Sequence, residues 1–136
     1  MDLFTMVRPE HLNHYGHLFG GQLLKWLDEY AYLVAVREFP GARLLTRAME
    51  GVSFTRGVQV GSTLRFSVCR SKIGTTSVSY AVDVFAQECE KLEEYPVFRT
   101  LITFVCVGAA DEKQPLPPPA DTTASRLAPE DRVTTL

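Results

Sequence analysis

Between Gly20 and Phe39 apolar residues recur every three or four positions, at Leu23, Leu24, Leu27, Ala31, Val34 and Ala35. At about 100° per residue these six fall within a stripe roughly 120° wide, which predicts one long amphipathic helix. Pro40-Gly41 ends it. Asp28 falls at the edge of the stripe, beside Leu24 and Ala35, whereas Glu29 points almost opposite, towards solvent. A carboxylate half-turned into an apolar seam is costly unless it has a partner or a task.

Outside this stretch the period is two. Residues 2–7 predict a short strand, ended by Arg8-Pro9. Arg43 to Phe54 reads as a strand bent at Gly51. Ser62 to Ser71 alternates, with Leu64, Phe66 and Val68 on one face and Arg65, Ser67 and Cys69 on the other. Thr75 to Glu88 repeats the pattern with Val78, Tyr80, Val82 and Val84 inward. Tyr95 to Val107 is the most apolar strand and predicts cover on both faces. The connections read as hairpins. The expectation over residues 1–108 is therefore an α+β domain, an antiparallel meander with a single long helix. Residues 109–136 hold five of the eight prolines, including Pro117-Pro118-Pro119, and predict an extended or disordered tail without a core of its own.

The start of the helix suggests chemistry. The first N–H groups of a helix lack internal partners, and the macrodipole makes that end positive. Gly20-Gly21, with no Cβ in the way, permits a sharp turn and close approach, a site suited to an anion or a developing oxyanion. His11, His14 and His17 precede it at three-residue spacing, but Gly16 interrupts any helical alignment, so they read as polar loop residues rather than a metal site. His17 is the nearest of the three to a ligand at Gly20-Gly21.

Composition narrows the field. A chain of 136 residues, 46% hydrophobic and 22% charged, suits one globular domain. A net charge of −2 argues against general nucleic-acid or membrane partners. The absence of a spanning apolar run or a signal-peptide pattern predicts a cytoplasmic location. Cys69, Cys89 and Cys106 are odd in number and far apart, as expected of reduced structural thiols. Positive charge nonetheless concentrates between residues 43 and 72, where Arg43, Arg47, Arg56, Arg65, Arg70 and Lys72 face the single acid Glu50. Arg65 reads as part of a solvated strand face.

The pattern N-x-x-G-x-x-F-G-G-x-x-L-x-x-x-D-E, here Asn13, Gly16, Phe19, Gly20, Gly21, Leu24, Asp28 and Glu29, resembles the acyl-CoA thioesterases of the hotdog fold. It is most similar to the small bacterial acyl-CoA hydrolases, related to the brain cytosolic acyl-CoA hydrolase. The likeness continues through E-G-V-S-F-x-R-x-V-x-V-G (Glu50 to Gly61) and K-x-G-T-T-S (Lys72 to Ser77), over roughly residues 8–108. It implies a sheet wrapped around one central helix, hydrolysis of acyl-CoA to free acid and CoA, and no cofactor beyond the CoA of the substrate. By resemblance, Asp28 would act as general base or nucleophile, Gly20 and Gly21 as oxyanion donors, and Asn13 would position the water or the carbonyl. His17, Phe19 and Phe54 would contact substrate, and Arg56, Lys72, Gly74, Thr75, Thr76 and Ser77 would line the pantetheine and nucleotide groove. Trp26, Tyr30 and Phe54 are candidates for the acyl pocket. Gly57 follows Arg56 where relatives commonly carry proline.

The resemblance also implies a homodimer, assembled further into a dimer of dimers or a trimer of dimers. Spacing points the same way: Gly20 and Asp28 are about 12 Å apart along one helix, too far to serve one carbonyl. Other apparatus is poorly supported. There is no G-x-S-x-G elbow, no G-K-[ST] loop and no Rossmann glycine pattern. A hotdog dehydratase would carry a His–Asp arrangement at the helix start, which is missing. An acyl-CoA sensor without turnover is the alternative. Such sensors usually carry an added DNA-binding segment, for which the stretch before Asn13 is short, and Asp28 favours an enzyme.

Overall fold

The computed structural model describes residues 1–51 and 53–120. Its spine is α1 (Gly20–Glu38), which buries Leu23, Trp26, Leu27, Ala31, Val34 and Ala35. The buried arc is wider than the sequence stripe, about 180° at 100° per residue. Trp26 has joined it, and Leu24 is only half-buried. A sheet curved around a helix covers more of its circumference than a flat layer would. His11 and Phe66 pack edge-on to the Trp26 ring, at 4.7 and 6.4 Å between centroids, and Tyr30 packs on Phe66 at 4.9 Å. Trp26 and Tyr30 are thus packing residues of the core.

Five strands form one antiparallel sheet: β1 (Asp2–Met6), β2 (Leu44–Glu50), β3 (Thr63–Ile73), β4 (Ser77–Gln87) and β5 (Glu94–Cys106). The inward rows are those the alternation predicts, with Leu64, Phe66, Val68, Val78, Tyr80, Val82 and Val84 all buried. On the opposite face of β5, Leu101, Thr103 and Val105 are half-buried, so cover there is partial.

The strand order is β1-β3-β4-β5-β2, which corrects the expected meander. Only β3-β4-β5 is a meander. β2 ends at Gly51, whose φ of +71° favours glycine, and pairs with β5 at the far side of the sheet. The link to β3 is therefore a crossing and not a hairpin. It is stitched down along its path: Phe54 bridges Phe98, the Thr55 N–H donates to the Val97 carbonyl at 2.9 Å, Leu18 to Val58 at 2.8 Å, and Gly61 to Val7 at 2.8 Å. Hydrophobic period reports which face a residue occupies, and it is silent on which strand lies alongside. The crossing carries the chain past the N-terminus of α1.

At the other end of α1, the Tyr80 hydroxyl donates to Glu38 Oε1 at 2.6 Å, and Arg70 lies 3.5 Å from the same carboxylate. Burial, reinforced by Glu38, pushes the Tyr80 phenol well above its ordinary pKa. Arg65, read as a solvated position, is held by Glu94 at 2.9 Å and lies 4.4 Å above the Phe85 ring.

Residues 109–120 lie on their own domain. Gln114 N–H donates to the Cys106 carbonyl at 2.9 Å, Leu116 to Thr75 at 2.9 Å, and Ala120 to Glu38 at 2.6 Å. Residues 121–136 of the predicted tail, and Val52 in the predicted strand, lie outside the described residues. All three cysteines are free thiols, Cys106 buried and the other two exposed. No described helix is long and apolar enough to cross a membrane.

Candidate active site

The loop before α1 is folded on Asn13. Its side-chain oxygen accepts the Tyr15 N–H at 2.9 Å and the His17 N–H at 3.2 Å, while its backbone closes on His17 and Gly16. Gly16, at φ +82°, makes that turn possible. The oxygen of the Asn13 amide is thus spent on the loop, and among the described residues its NH₂ donates to no acceptor. That leaves Asn13 as a donor towards anything that enters beside it.

Phe19 caps α1 without a side-chain hydrogen bond to the first turn. The Gln22 and Leu23 N–H groups turn back to the Phe19 carbonyl, at 3.0 and 3.2 Å. Those of Gly20 and Gly21 have no acceptor among the described residues, as the first turn of a helix dictates. The glycine pair is not needed for a sharp turn, since both residues are helical and neither has a positive φ. It is needed for space. A Cβ at Gly20 would lie 3.1 Å from the Phe54 ring, and one at Gly21 would lie 2.5 Å from the Phe19 ring.

These pieces enclose a cleft of about 320 Å³ lined by Asn13, His17, Gly20, Phe54, Arg56 and Gly57, with Leu18, Leu23, Val58 and Val97 as its apolar wall. A Cβ at Gly57 would come within 3.2 Å of the His17 ring, so the glycine gives His17 its seat. The other histidines face elsewhere, His11 against Trp26 and His14 against Tyr15. Among the described residues no three His, Cys, Asp or Glu groups converge as a metal site.

Phe19 and Gly21 adjoin the cleft without lining it, and two further predicted groups lie well away from it. Asp28 is half-buried two turns along α1, where Thr46 Oγ1 of β2 donates to its Oδ1 at 2.5 Å. Glu29 is exposed. Thr46 was not found from the sequence: it is eighteen residues away, and only the crossing of β2 against the helix brings it there. Lys72, Gly74, Thr75, Thr76 and Ser77 form the β3–β4 turn. Phe54 bridges Phe98 in the row through Val84, whereas Lys72 pairs with Ser79. Five residues of β4 separate the rows, or about 17 Å at ~3.3 Å per residue.

A cleft with amide donors at an uncapped helix start suits polarisation of a carbonyl oxygen, and a carboxylate held apart from it needs a second surface to act there. Residues 15–93 of the chain match the thioesterase superfamily. The chain belongs to that superfamily. An uncharacterised acyl-CoA thioester hydrolase of Zymomonas mobilis is 33% identical over 118 residues, 87% of this chain and 78% of the relative. The acyl-CoA thioester hydrolase YciA of Salmonella typhimurium is 30% identical, covering 85% of this chain and 88% of its own length. The hexameric thioesterase y2039 of Yersinia pestis superposes with a TM-score of 0.77 at 26% identity, over 85% of this chain and 93% of that one.

In this thioesterase-superfamily chain the Thr46 hydroxyl orients the Asp28 carboxylate. Thr46→Val keeps the shape and removes the donor. A hydrogen bond to a charged group contributes about 1.5–3 kcal/mol, so the melting temperature should fall, and kcat should fall with it by roughly tenfold. Steady-state kinetics beside a thermal melt checks this; an unaltered kcat would show that Asp28 does not depend on Thr46.

Proposed function

We propose that the chain hydrolyses the thioester of acyl-CoA to a free carboxylic acid and coenzyme A, without a cofactor. The observation that carries this reading is the cleft at the start of α1, where the Asn13 NH₂ and the Gly20 N–H, both without an acceptor among the described residues, line one space. In hydrolysis a nucleophile attacks the thioester carbon and negative charge grows on its oxygen. Donors already aimed at that oxygen stabilise the transition state by about 3 kcal/mol each. Asn13 would polarise the carbonyl through its free amide hydrogens. Asp28 would either deprotonate the attacking water or itself attack. The departing thiolate of coenzyme A leaves as the C–S bond breaks and takes up a proton. His17 and Phe54 would contact the thioester end of the substrate, with Phe19 at the rim.

The carboxylate would come from a second copy of the chain. The second edge of β2 has no strand beside it among the described residues. Apolar surface surrounds Asp28 there, with Tyr32 one turn further along α1 and Leu45 next to Thr46, 40% and 42% exposed. Both features suit a two-fold partner that lays its helix antiparallel to this one. The Lys72 and Gly74–Ser77 turn, remote from its own cleft, would then serve the nucleotide of a site in the assembly. The Yersinia relative is hexameric, and a trimer of dimers is the corresponding assembly here. Three free thiols suit a reducing, cytoplasmic setting.

Release of free thiol from acyl-CoAs of short, medium and long chain tests the reading. Turnover of at least one is expected. Binding of CoA without thiol release above background for any of them would favour the sensor.

A further inference from the structure

Arg56 does not hang loose at the rim of the cleft. Its guanidinium carbon lies 3.5 Å from the centroid of the Tyr95 ring, and Nη2 lies 3.5 Å from Glu88 Oε1. Glu88 is also held by Lys91 at 2.7 Å, so its longer contact with Arg56 is the lesser of two. Tyr95 is half-buried, and its buried hydroxyl has no hydrogen-bond partner among the described residues. What Tyr95 offers Arg56 is its ring face.

A guanidinium lying flat on an aromatic ring keeps its N–H edges in one plane and loses little further freedom when it binds. That suits two-pronged contact with a phosphate, whereas lysine would offer a mobile point charge. Arg56 lines the same cleft as Asn13, His17 and Gly20. We propose that Tyr95 is a positioning residue, whose ring holds Arg56 flat at the cleft rim so that the guanidinium edge meets a phosphate of the CoA moiety. The proposal rests on the acyl-CoA reading above. It assigns to Tyr95 a part in substrate binding and none in the chemical step.

The test compares two substrates with the same acyl group, the acyl-CoA turned over fastest and its N-acetylcysteamine thioester, which has no phosphates. Tyr95→Leu should raise KM for the acyl-CoA about fivefold, on the scale of a partly exposed cation–π contact, with kcat nearly unchanged. Its kcat/KM for the phosphate-free thioester should stay within about twofold of wild type, since that substrate carries no phosphate for the guanidinium to hold. Tyr95→Phe keeps the ring and sheds the unpaired hydroxyl, so it should retain the wild-type KM. Arg56→Lys, at an exposed position that leaves the core untouched, should reproduce the KM rise even if Tyr95→Leu does not fold. The proposal is overturned if Arg56→Lys leaves KM unchanged, if the loss is equal on both substrates, or if Tyr95→Phe is as damaging as Tyr95→Leu. Calorimetry with free CoA reads the same weakening without turnover. An enzyme that hydrolyses nothing would thus overturn the hydrolase reading, while the binding comparison still decides the role of Tyr95.

Discussion

Replacing Asp28 with asparagine should leave the fold intact and lower kcat by at least about a hundredfold, the lower end of what a positioned acid–base group contributes. The expectation follows from where the charge lies. Asp28 is half-buried at the margin of the packed face of α1, and the Thr46 hydroxyl fixes its orientation. Asparagine has nearly the same shape and still accepts the Thr46 hydrogen bond, so packing around Ala35 and Leu24 is preserved. What it cannot do is take a proton from water or attack a thioester. Glu29, the neighbouring acid, is exposed on the outer side of the helix, and Glu29→Gln should keep near-normal activity. Paired kinetics and thermal melts of the two variants decide the matter. A larger loss from Glu29→Gln, or full activity in Asp28→Asn, would remove Asp28 from the mechanism.

Much of this arrangement was legible in the sequence because local physics encodes it. The i, i+3, i+4 spacing from Leu23 to Ala35 defines a helix wherever a core is available, and strict alternation in β3 and β4 defines their faces. Strand neighbours were not legible. β2 pairs with β5 across the sheet because the linker through Phe54, Thr55 and Val58 is pinned to β5 and to the loop before α1. Each of those contacts joins residues distant in sequence, which no periodicity reports. The same limit hid Thr46, which meets Asp28 only because β2 packs back along α1.

The site residues divide the same way. Asn13 and Gly20 belong to one short motif, and the fold brings both to the cleft. Sequence alone left open whether Asn13 donates or accepts. Two backbone N–H groups on its oxygen give it the donor's part. The glycine pair was read as permitting both a sharp turn and a close approach, and the fold uses the second, with the Phe54 ring against Gly20. Arg56 was singled out for its charge, yet its flat placement depends on Tyr95, thirty-nine residues further on, and only the structure shows it.

The central claim is that each site takes its donors from one chain and its carboxylate from another. Eight residues of helix separate Gly20 from Asp28, about 12 Å at 1.5 Å per residue, and the lean of an aspartate recovers only a small part of that. One thioester carbonyl cannot lie ~3 Å from both groups of a single helix. Two antiparallel helices related by a two-fold axis bring the start of one beside the middle of the other. Co-expressing Asn13→Ala and Asp28→Asn chains with different tags, and purifying the mixed dimer, tests this directly. One site of that dimer then holds an intact Asn13 and an intact Asp28, while the other holds neither. Each parent alone should be nearly inactive, and the mixed dimer should regain up to about half of wild-type activity per dimer. Verified mixed dimers that remain as inactive as either parent would contradict the shared site.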